Sequence, residues 1–365
     1  MPSDRLSRLN RRRFLAAGAA ASALSLGTML RRSAAATRKK IKIGQIGTGH
    51  AHARGVFSSL REVTDDYEIV GVVENDPVLG DKLGGSYQGV PLVSEEQLLN
   101  TPGLQAVVVE TEVRDLLPTA VRCVNAGMHI HLDKPPGESL PEYKALLDDA
   151  TQKNLTVQMG YIYRYHPAFQ FCYRAVREGW FGDVFEVRGV MSKKVGAASR
   201  TKLAEFAGGS MFEIGCHVID AVVKVLGRPQ KITPFVRRTY PQQDSLADNQ
   251  LAVFEYPGAT ASLRSSLIEY EGGRRRQFTV CGNLGTFDLR PLGGTKFRLA
   301  LEKPREGYKT GYQDVTLPSG PRGFVSAFRD LAAIIRGEKE TDYPPAHDLA
   351  VHEAVLVASG YPFEK

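Results

Sequence analysis

Tryptophan occurs once and cysteine four times in 365 residues, and Cys123, Cys172, Cys216 and Cys281 lie far apart with no Cys-x-x-Cys spacing. A disulfide framework and a thiolate metal site are therefore excluded, and buried free thiols are expected. Apolar runs long enough for a membrane span are also missing. The one uncharged stretch of note, residues 14–30, is 17 residues of mostly Ala, Gly, Ser and Leu, short of the ~20 a spanning helix needs. Nor is there a basic body. The formal charge is +7, but ten of the 47 basic residues and only one of the 40 acidic ones fall in residues 1–40. The remaining chain carries 37 bases against 39 acids, so a nucleic-acid-binding face is not supported. What remains, 42% apolar and 24% charged residues, is the composition of a folded protein of about two domains.

The missing basicity has an address. Arg11-Arg12-Arg13-Phe14-Leu15 precedes the weakly apolar stretch, and Arg31, Arg32 and Ala34-Ala35-Ala36 follow it. This is the layout of a signal peptide, and the paired arginines resemble a twin-arginine export signal with cleavage after Ala36. The expectation is an extracytoplasmic, periplasmic protein delivered by the twin-arginine machinery; an uncleaved anchor is the alternative. That pathway carries proteins already folded in a reducing compartment, which agrees with the free thiols.

From residue 41 short apolar runs alternate with helical periodicity. Strands are predicted over 41–46, 68–73, 104–109, 129–132 and 156–159, with helices over 51–61, 115–126 and 140–153. Ser139 and Glu142 open the last of these helices at capping-box spacing. Nearly continuous apolar strands between helices predict a parallel, doubly wound sheet covered on both faces. Beyond about residue 160, helices are predicted over 167–178 and 211–226 and a strand over 184–190. Alternating strands follow over 231–240, 250–256, 260–269, 277–281, 286–289 and 296–301. They predict a large, mostly antiparallel sheet, closed by helices over 324–335 and 348–359. The expected domains are 1–36 (leader), 37–160, 161–345, and a closing helix and tail over 346–365.

Ile46-Gly47-Thr48-Gly49-His50 ends the first strand and opens a helix. Gly47 suits a tight turn and Gly49 the approach of a pyrophosphate to a helix N-terminus. His52 replaces the third glycine of the usual fingerprint. Glu74, at the carboxyl end of the second strand, suits a ribose 2′-hydroxyl and would repel a 2′-phosphate, so NAD is expected ahead of NADP. Two His-x-His pairs, His50/His52 and His129/His131, would suit metal ligation on a strand. The first pair falls in a helix-opening turn, where the side chains should diverge, and the second in an interior strand, so no metal is expected.

Leu132-Asp133-Lys134-Pro135 follows a later strand of the first sheet, where open α/β sheets place their ligands. With Gly160-Tyr161-Ile162-Tyr163-Arg164-Tyr165-His166-Pro167, Gly179-Trp180-Phe181-Gly182-Asp183-Val184 and the run from Gly208 to Asp220, it resembles the glucose–fructose oxidoreductase / inositol dehydrogenase / rhizopine-catabolism (Gfo/Idh/MocA) family. The resemblance implies a Rossmann domain, a second domain whose sheet commonly forms a dimer or tetramer interface, and hydride transfer between a carbohydrate hydroxyl carbon and a nicotinamide.

It further implies catalytic roles for Lys134, at the reacting oxygen, for His217, as proton acceptor, and for Glu213, which orients His217 or binds a sugar hydroxyl. The expected cofactor residues are Gly47, Thr48, Gly49, His50, Glu74, Thr111 and Lys134. Tyr161, Arg164 and Asp220 are the expected substrate-side residues; for Arg164 a domain-joining salt bridge, and for Asp220 an ion pair or cap, are the other readings. Departures from the family pattern are Asp133 for Glu, Glu213 for Asp, His52 for Gly, and Glu110-Thr111-Glu112 where Thr-Pro-Asn is usual. Those acids would meet ribose or sugar hydroxyls, or obstruct the nicotinamide. The expected function is an exported NAD(P)-dependent oxidoreductase acting on a sugar, cyclitol or glycoside. A redox-neutral, NAD-dependent glycosidase and a non-catalytic sugar- or nucleotide-binding protein are the alternatives.

Overall fold

The structure, a computed structural model, describes residues 38–80 and 83–362; the predicted export leader lies outside them. The first half builds β1 (Ile41–Ile46), α1 (Ala53–Arg61), β2 (Tyr67–Val73), α2 (Pro77–Gly80), α3 (Glu95–Leu99), β3 (Leu104–Val109), α4 (Val113–Asn125), β4 (His129–Leu132), α5 (Leu140–Gln152) and β5 (Val157–Met159). The five strands are parallel, in the order β2-β1-β3-β4-β5. The reason lies in β3. Its Ala106 and Val108 point to one face and Val107 and Val109 to the other, and all four are fully buried. A strand hydrophobic on both sides needs helices on both sides, and only crossover connections supply them.

The second half begins with α6 (Pro167–Arg177), β6 (Val184–Ser192), α7 (Ala197–Leu203), a π turn (Met211–Gly215) and α8 (Cys216–Leu226). Then come β7 (Lys231–Arg237), β8 (Asn249–Glu255), β9 (Thr260–Ser266), α9 (Gly272–Arg275), β10 (Gln277–Gly282), β11 (Gly285–Leu289), β12 (Lys296–Leu301), β13 (Gly311–Thr316), α10 (Val325–Ile335) and α11 (Pro345–Ser359). Eight strands run β13-β12-β11-β10-β6-β9-β8-β7, antiparallel except for the parallel pair β6/β9. The mixed α/β architecture predicted from the sequence is the one observed. The edge strand β13 was not predicted, because Gly-Tyr-Gln-Asp-Val-Thr buries Val315 alone and has no apolar alternation. The predicted helix 211–226 starts instead with a π turn. Cys123, Cys172 and Cys216 are buried and Cys281 half-buried, all as free thiols.

The described residues from Lys39 onward form one compact unit. The chain returns late to its first sheet: Phe324, Val325 and Phe328 of the α10 region pack on Ile41, Ile43, Phe57 and Val108. Tyr67 donates its hydroxyl to the Phe328 carbonyl at 2.7 Å, and the Phe324 amide donates to Ser59 Oγ at 3.0 Å.

A buried ion network ties the segment after β5 to α8 and α11. Arg164 donates to Asp220 from Nη2 at 2.7 Å and from Nε at 3.2 Å, and also to Asp348. His347 Nε2 lies 3.1 Å from the same Asp220 oxygen. The guanidinium lies over the Tyr343 ring, 4.1 Å from its centroid. Burial opposes ionisation of Asp220, but Arg164 and His347 outweigh it and hold the carboxyl below its ordinary range. At Asp348 burial prevails and the carboxyl is pushed up.

Two outcomes follow for stability. Arg164→Met strands buried Asp220 and Asp348 without a counter-charge and should lower unfolding free energy by about 3–5 kcal/mol in urea titrations; a loss below about 1 kcal/mol would contradict this role. His352, in α11, packs edge-on against Tyr143 with ring centroids 5.0 Å apart and makes no hydrogen bond from either ring nitrogen. Burial lowers its pKa from 6.5 to about 3. Between those values the unfolded chain binds the extra proton, so this group's contribution to stability falls as pH drops below about 6.5. His352→Leu should flatten the acid limb of stability against pH between about 6.5 and 4; an unchanged slope would contradict the assignment.

Candidate active site

The sheet order reverses between β1 and β3, and ligands of open α/β sheets bind beyond the carboxyl ends of strands at such a point. Gly47 ends β1 there with φ of +89°, and a Cβ on it would stand 2.6 Å from the Thr111 amide nitrogen that follows β3. Only glycine lets the two strand ends meet so closely. Beside this turn is a cleft of about 560 Å³ lined by Gly47, Gly49, Glu74, Thr111, Glu112 and Arg122, among others. The Glu74 carboxylate accepts the Thr48 amide at 2.8 Å and the Thr48 hydroxyl, and its other oxygen accepts the Asp76 amide at 2.9 Å. The lining is acidic: Asp76, Glu95, Glu112 and Asp115 join Glu74. Its two arginines are engaged, Arg122 with Glu95 at 2.5 Å and Arg114 with Glu205 at 3.2 Å. A glycine turn open to the cleft and a strand-end acid fit a dinucleotide, which Gly47, Gly49, Thr48, Thr111 and Glu74 would hold.

Of the residues expected around a cofactor, Gly47, Gly49, Glu74 and Thr111 line this cleft, and Thr48 is bonded to Glu74. His50 and Lys134 are not in the lining. His50 is turned inward, paired through Nδ1 with Asp133 Oδ2. His52 Nδ1 reaches the same carboxylate at 3.1 Å. The expectation that these two histidines diverge is therefore corrected. The chain between them is a turn entering α1, not a helix, and the rings sit edge to face with centroids 4.8 Å apart. His129 and His131 are occupied within the sheet: the Thr156 amide donates to His129 Nδ1 at 3.0 Å, and His131 Nδ1 lies 2.9 Å from Gln158 Oε1.

Lys134 follows β4, and its side chain is fully buried. Its Nζ donates to the Glu213 carbonyl at 2.7 Å, with the Glu213 carboxylate 3.8 Å away. Burial alone would lower its pKa, but acidic neighbours led by Glu213 hold it above its ordinary value, so the group is an ammonium. Glu213 sits in the π turn, where hydrogen bonding shifts register, a feature common at functional sites. This changes one expectation: Glu213 is a partner of Lys134, and no contact orients His217 through it.

His217, the second residue of α8, lies in a cage of Tyr161, Tyr163 and His52, with ring centroids 6.0, 6.0 and 6.4 Å away. Its Nδ1 is buried without a hydrogen-bond partner. Burial first, then Lys134, keep its pKa well below the ordinary value, and the imidazole is neutral. Lys134, His217, Glu213 and Tyr161 thus form one buried site. Arg164 and Asp220 do not belong to it. Each spends its polar atoms on the other and on Asp348 and His347, which corrects their expected contact with substrate.

Two residues take places other than those the sequence suggested: Glu110, expected to meet ribose or sugar hydroxyls or to obstruct the nicotinamide, and Asp133. Glu110, after β3, is fully buried with both carboxyl oxygens lacking hydrogen-bond partners, and its nearer oxygen is 3.9 Å from His50 Nδ1. Burial and the nearby Asp133 raise its pKa well above the ordinary value. Asp133 itself, seen only as a departure from a motif, is the centre on which both histidines converge. Against the same burial, His50 and His52 hold it well below the ordinary range. Glu112, expected to meet a sugar or obstruct a nicotinamide, pairs with Lys202 at 2.7 Å beside Gly49.

Comparison with known proteins agrees with this layout. A family model described as an oxidoreductase family with an NAD-binding Rossmann fold matches residues 41–161, and one described as the GFO/IDH/MocA C-terminal domain matches 169–288. D-xylose 1-dehydrogenase (NADP(+)) 2 of Haloferax volcanii is 26% identical over 71% of this chain and 80% of its own length. The scyllo-inositol 2-dehydrogenase (NADP(+)) IolW of Bacillus subtilis is 24% identical over 53% of this chain; the match spans 54% of its own length, about half. An uncharacterized oxidoreductase of Escherichia coli, YhhX, is 26% identical over 53% of this chain, and again about half its length, 54%, is spanned. Among solved structures, levoglucosan dehydrogenase in complex with NADH and levoglucosan shares the fold at a TM-score of 0.75 and 18% identity, over 88% of this chain and 97% of that one. The aldose-aldose oxidoreductase of Caulobacter crescentus complexed with glycerol does so at 0.74 and 20%, over 88% and 98%. With a Rossmann half and a C-terminal half matched in order along one chain, the protein belongs to the GFO/IDH/MocA oxidoreductase family.

Proposed function

We propose that the protein is a dehydrogenase acting on a hydroxyl-bearing carbon of a sugar, cyclitol or glycoside with NAD as its cofactor. The observation that carries this reading is the fully buried Lys134 ammonium beside a neutral, unpartnered His217, at the strand edge adjoining the dinucleotide cleft. A bound nicotinamide would accept or return the hydride. Lys134 donates a hydrogen bond to the reacting oxygen and offsets negative charge developing there. His217 Nδ1 accepts the hydroxyl proton, and the Tyr161 and Tyr163 rings keep water from it. The substrates named for the xylose and inositol relatives and for the levoglucosan enzyme support a polyhydroxylated ligand.

Preference for NAD rests on Glu74 and on the four other acids of the cleft, which disfavour a 2′-phosphate; the relatives named for NADP make this a point of difference. For location, the arginine-led leader supports export to the periplasm by the twin-arginine route after folding. Free nicotinamide cofactor is scarce there, so it is loaded before export, held tightly, and reset by a second substrate. Exposed Phe235 and Tyr312 on the second sheet support self-association into a dimer or tetramer through it.

Mass spectrometry of nucleotide released from the purified protein, with a sugar panel read by nicotinamide absorbance, tests the proposal. The expected result is NAD(H) bound and oxidation of at least one sugar. Lys134→Ala should keep the nucleotide but lose about 10²–10⁴-fold in kcat. Absence of any affinity for NAD(H) or NADP(H), or an unaffected Lys134→Ala variant, would overturn it.

A further inference from the structure

The Lys134–His217 chemistry leaves out two groups of ligating atoms among the described residues, of which the first lies at the edge of the first sheet. Consecutive neighbours in the first sheet deliver it: His50 and His52 from the turn after β1, Glu110 from the end of β3, Asp133 from the end of β4. One ligating atom from each of His50, His52 and Asp133 falls within 4.8 Å of the others. Both histidines present Nδ1 to this point. The Asp133 carboxylate is itself oriented, since the Lys134 amide donates to its Oδ1 at 2.7 Å. That is the outer-shell support a ligating carboxylate commonly has.

Glu110 provides the independent sign of a missing ligand. Neither oxygen of the buried Glu110 has a hydrogen bond of sound geometry, and the neighbour that could share a proton with it is another acid, Asp133; such a pair calls for an ion or another partner. Its nearer oxygen lies 3.9 Å from His50 Nδ1, beside the His50–His52–Asp133 group rather than within it. The other acid–histidine group of the fold, Asp220, His347 and Asp348, is different, because the Arg164 guanidinium already fills its centre.

We propose that His50, His52 and Asp133, with Glu110 as fourth ligand, bind one divalent transition-metal ion. Two imidazole nitrogens and two carboxylate oxygens suit Zn²⁺, Mn²⁺, Fe²⁺ or Co²⁺, and the mixed set argues against Ca²⁺ or Mg²⁺, which prefer all-oxygen shells. Three of the four side chains are nearly or fully closed to solvent; that of His52 is 31% exposed, and its ring centroid lies 6.4 Å from that of His217. An ion held here has an open position facing the reacting space. A hydroxyl or carbonyl oxygen of a polyhydroxylated ligand fits that position, and the ion would polarise it as a Lewis acid beside Lys134. The site needs no nucleotide, so its fate is separable from that of the dehydrogenase reading.

The experiment is a Co²⁺ titration of the full chain after chelation and desalting, followed by d–d absorption, with metal content of the washed protein measured by inductively coupled plasma mass spectrometry. Wild type should take up one ion per chain. His52→Ala, at the most exposed ligand, should weaken Co²⁺ binding beyond the ~10–100-fold that loss of an outer-shell partner causes. Glu110→Gln, which keeps the side-chain shape, should change the d–d spectrum while leaving the content of bound nucleotide unaltered. Circular dichroism and thermal melting of each variant confirm its fold. Less than about a tenth of an equivalent bound by wild type, or equal Co²⁺ affinity in wild type and a folded His52→Ala variant, would overturn the site, whatever the nucleotide content.

Discussion

A lysine ammonium sealed from water must be surrounded by compensating groups, and much of this molecule is arranged to satisfy Lys134. Its charge is met by a carbonyl and a carboxylate from Glu213, which belongs to the second half of the chain. Glu213 can be there only because the π turn before α8 presents it, and α8 is anchored by Asp220 to Arg164 and through it to α11. The first sheet supplies the lysine, and the helices of the second half supply its counter-charge. Removing that interaction would leave a buried charge unpaired, which costs far more than the pair itself contributes.

Much of this was legible in the sequence because it has a local signature. β3 reads as an unbroken apolar run because both its faces are covered. Gly47 and Glu74 announce the cleft by their places at the ends of β1 and β2. The Lys134 and His217 motifs carry the family resemblance directly. What escaped is what depends on distant partners. The role of α10, which starts at Val325, as a cover for the first sheet that β1 begins at Ile41 has no trace in the local pattern of residues 324–335. The edge strand β13 escaped because its exposed side chains have no apolar alternation.

The site residues divide in the same way. Arg164 and Asp220 carry family motifs and admitted two readings, substrate contact or an ion pair; the pair closed across 56 positions of sequence is the one found. His50 and His52 were judged by the geometry of a helix, where residues two apart diverge, but the turn before α1 brings both onto Asp133. Three of the departures from the family pattern (His52, Glu110, Asp133) fall together beside β1, β3 and β4, while Glu213 pairs with Lys134 and Glu112 with Lys202. Read singly in the sequence those three are substitutions; together in space they are a constellation with its own chemistry.

The reaction proposed for this site is hydride transfer between a ligand carbon and a nicotinamide beside Lys134. The direct measurement is isotope transfer: the protein is incubated with a sugar deuterated at the carbon bearing the oxidised hydroxyl, and the released nucleotide is analysed by mass spectrometry and NMR. Deuterium at C4 of the nicotinamide, lost in Lys134→Ala, is the predicted result. Turnover of the sugar with no deuterium reaching the nucleotide would contradict the account.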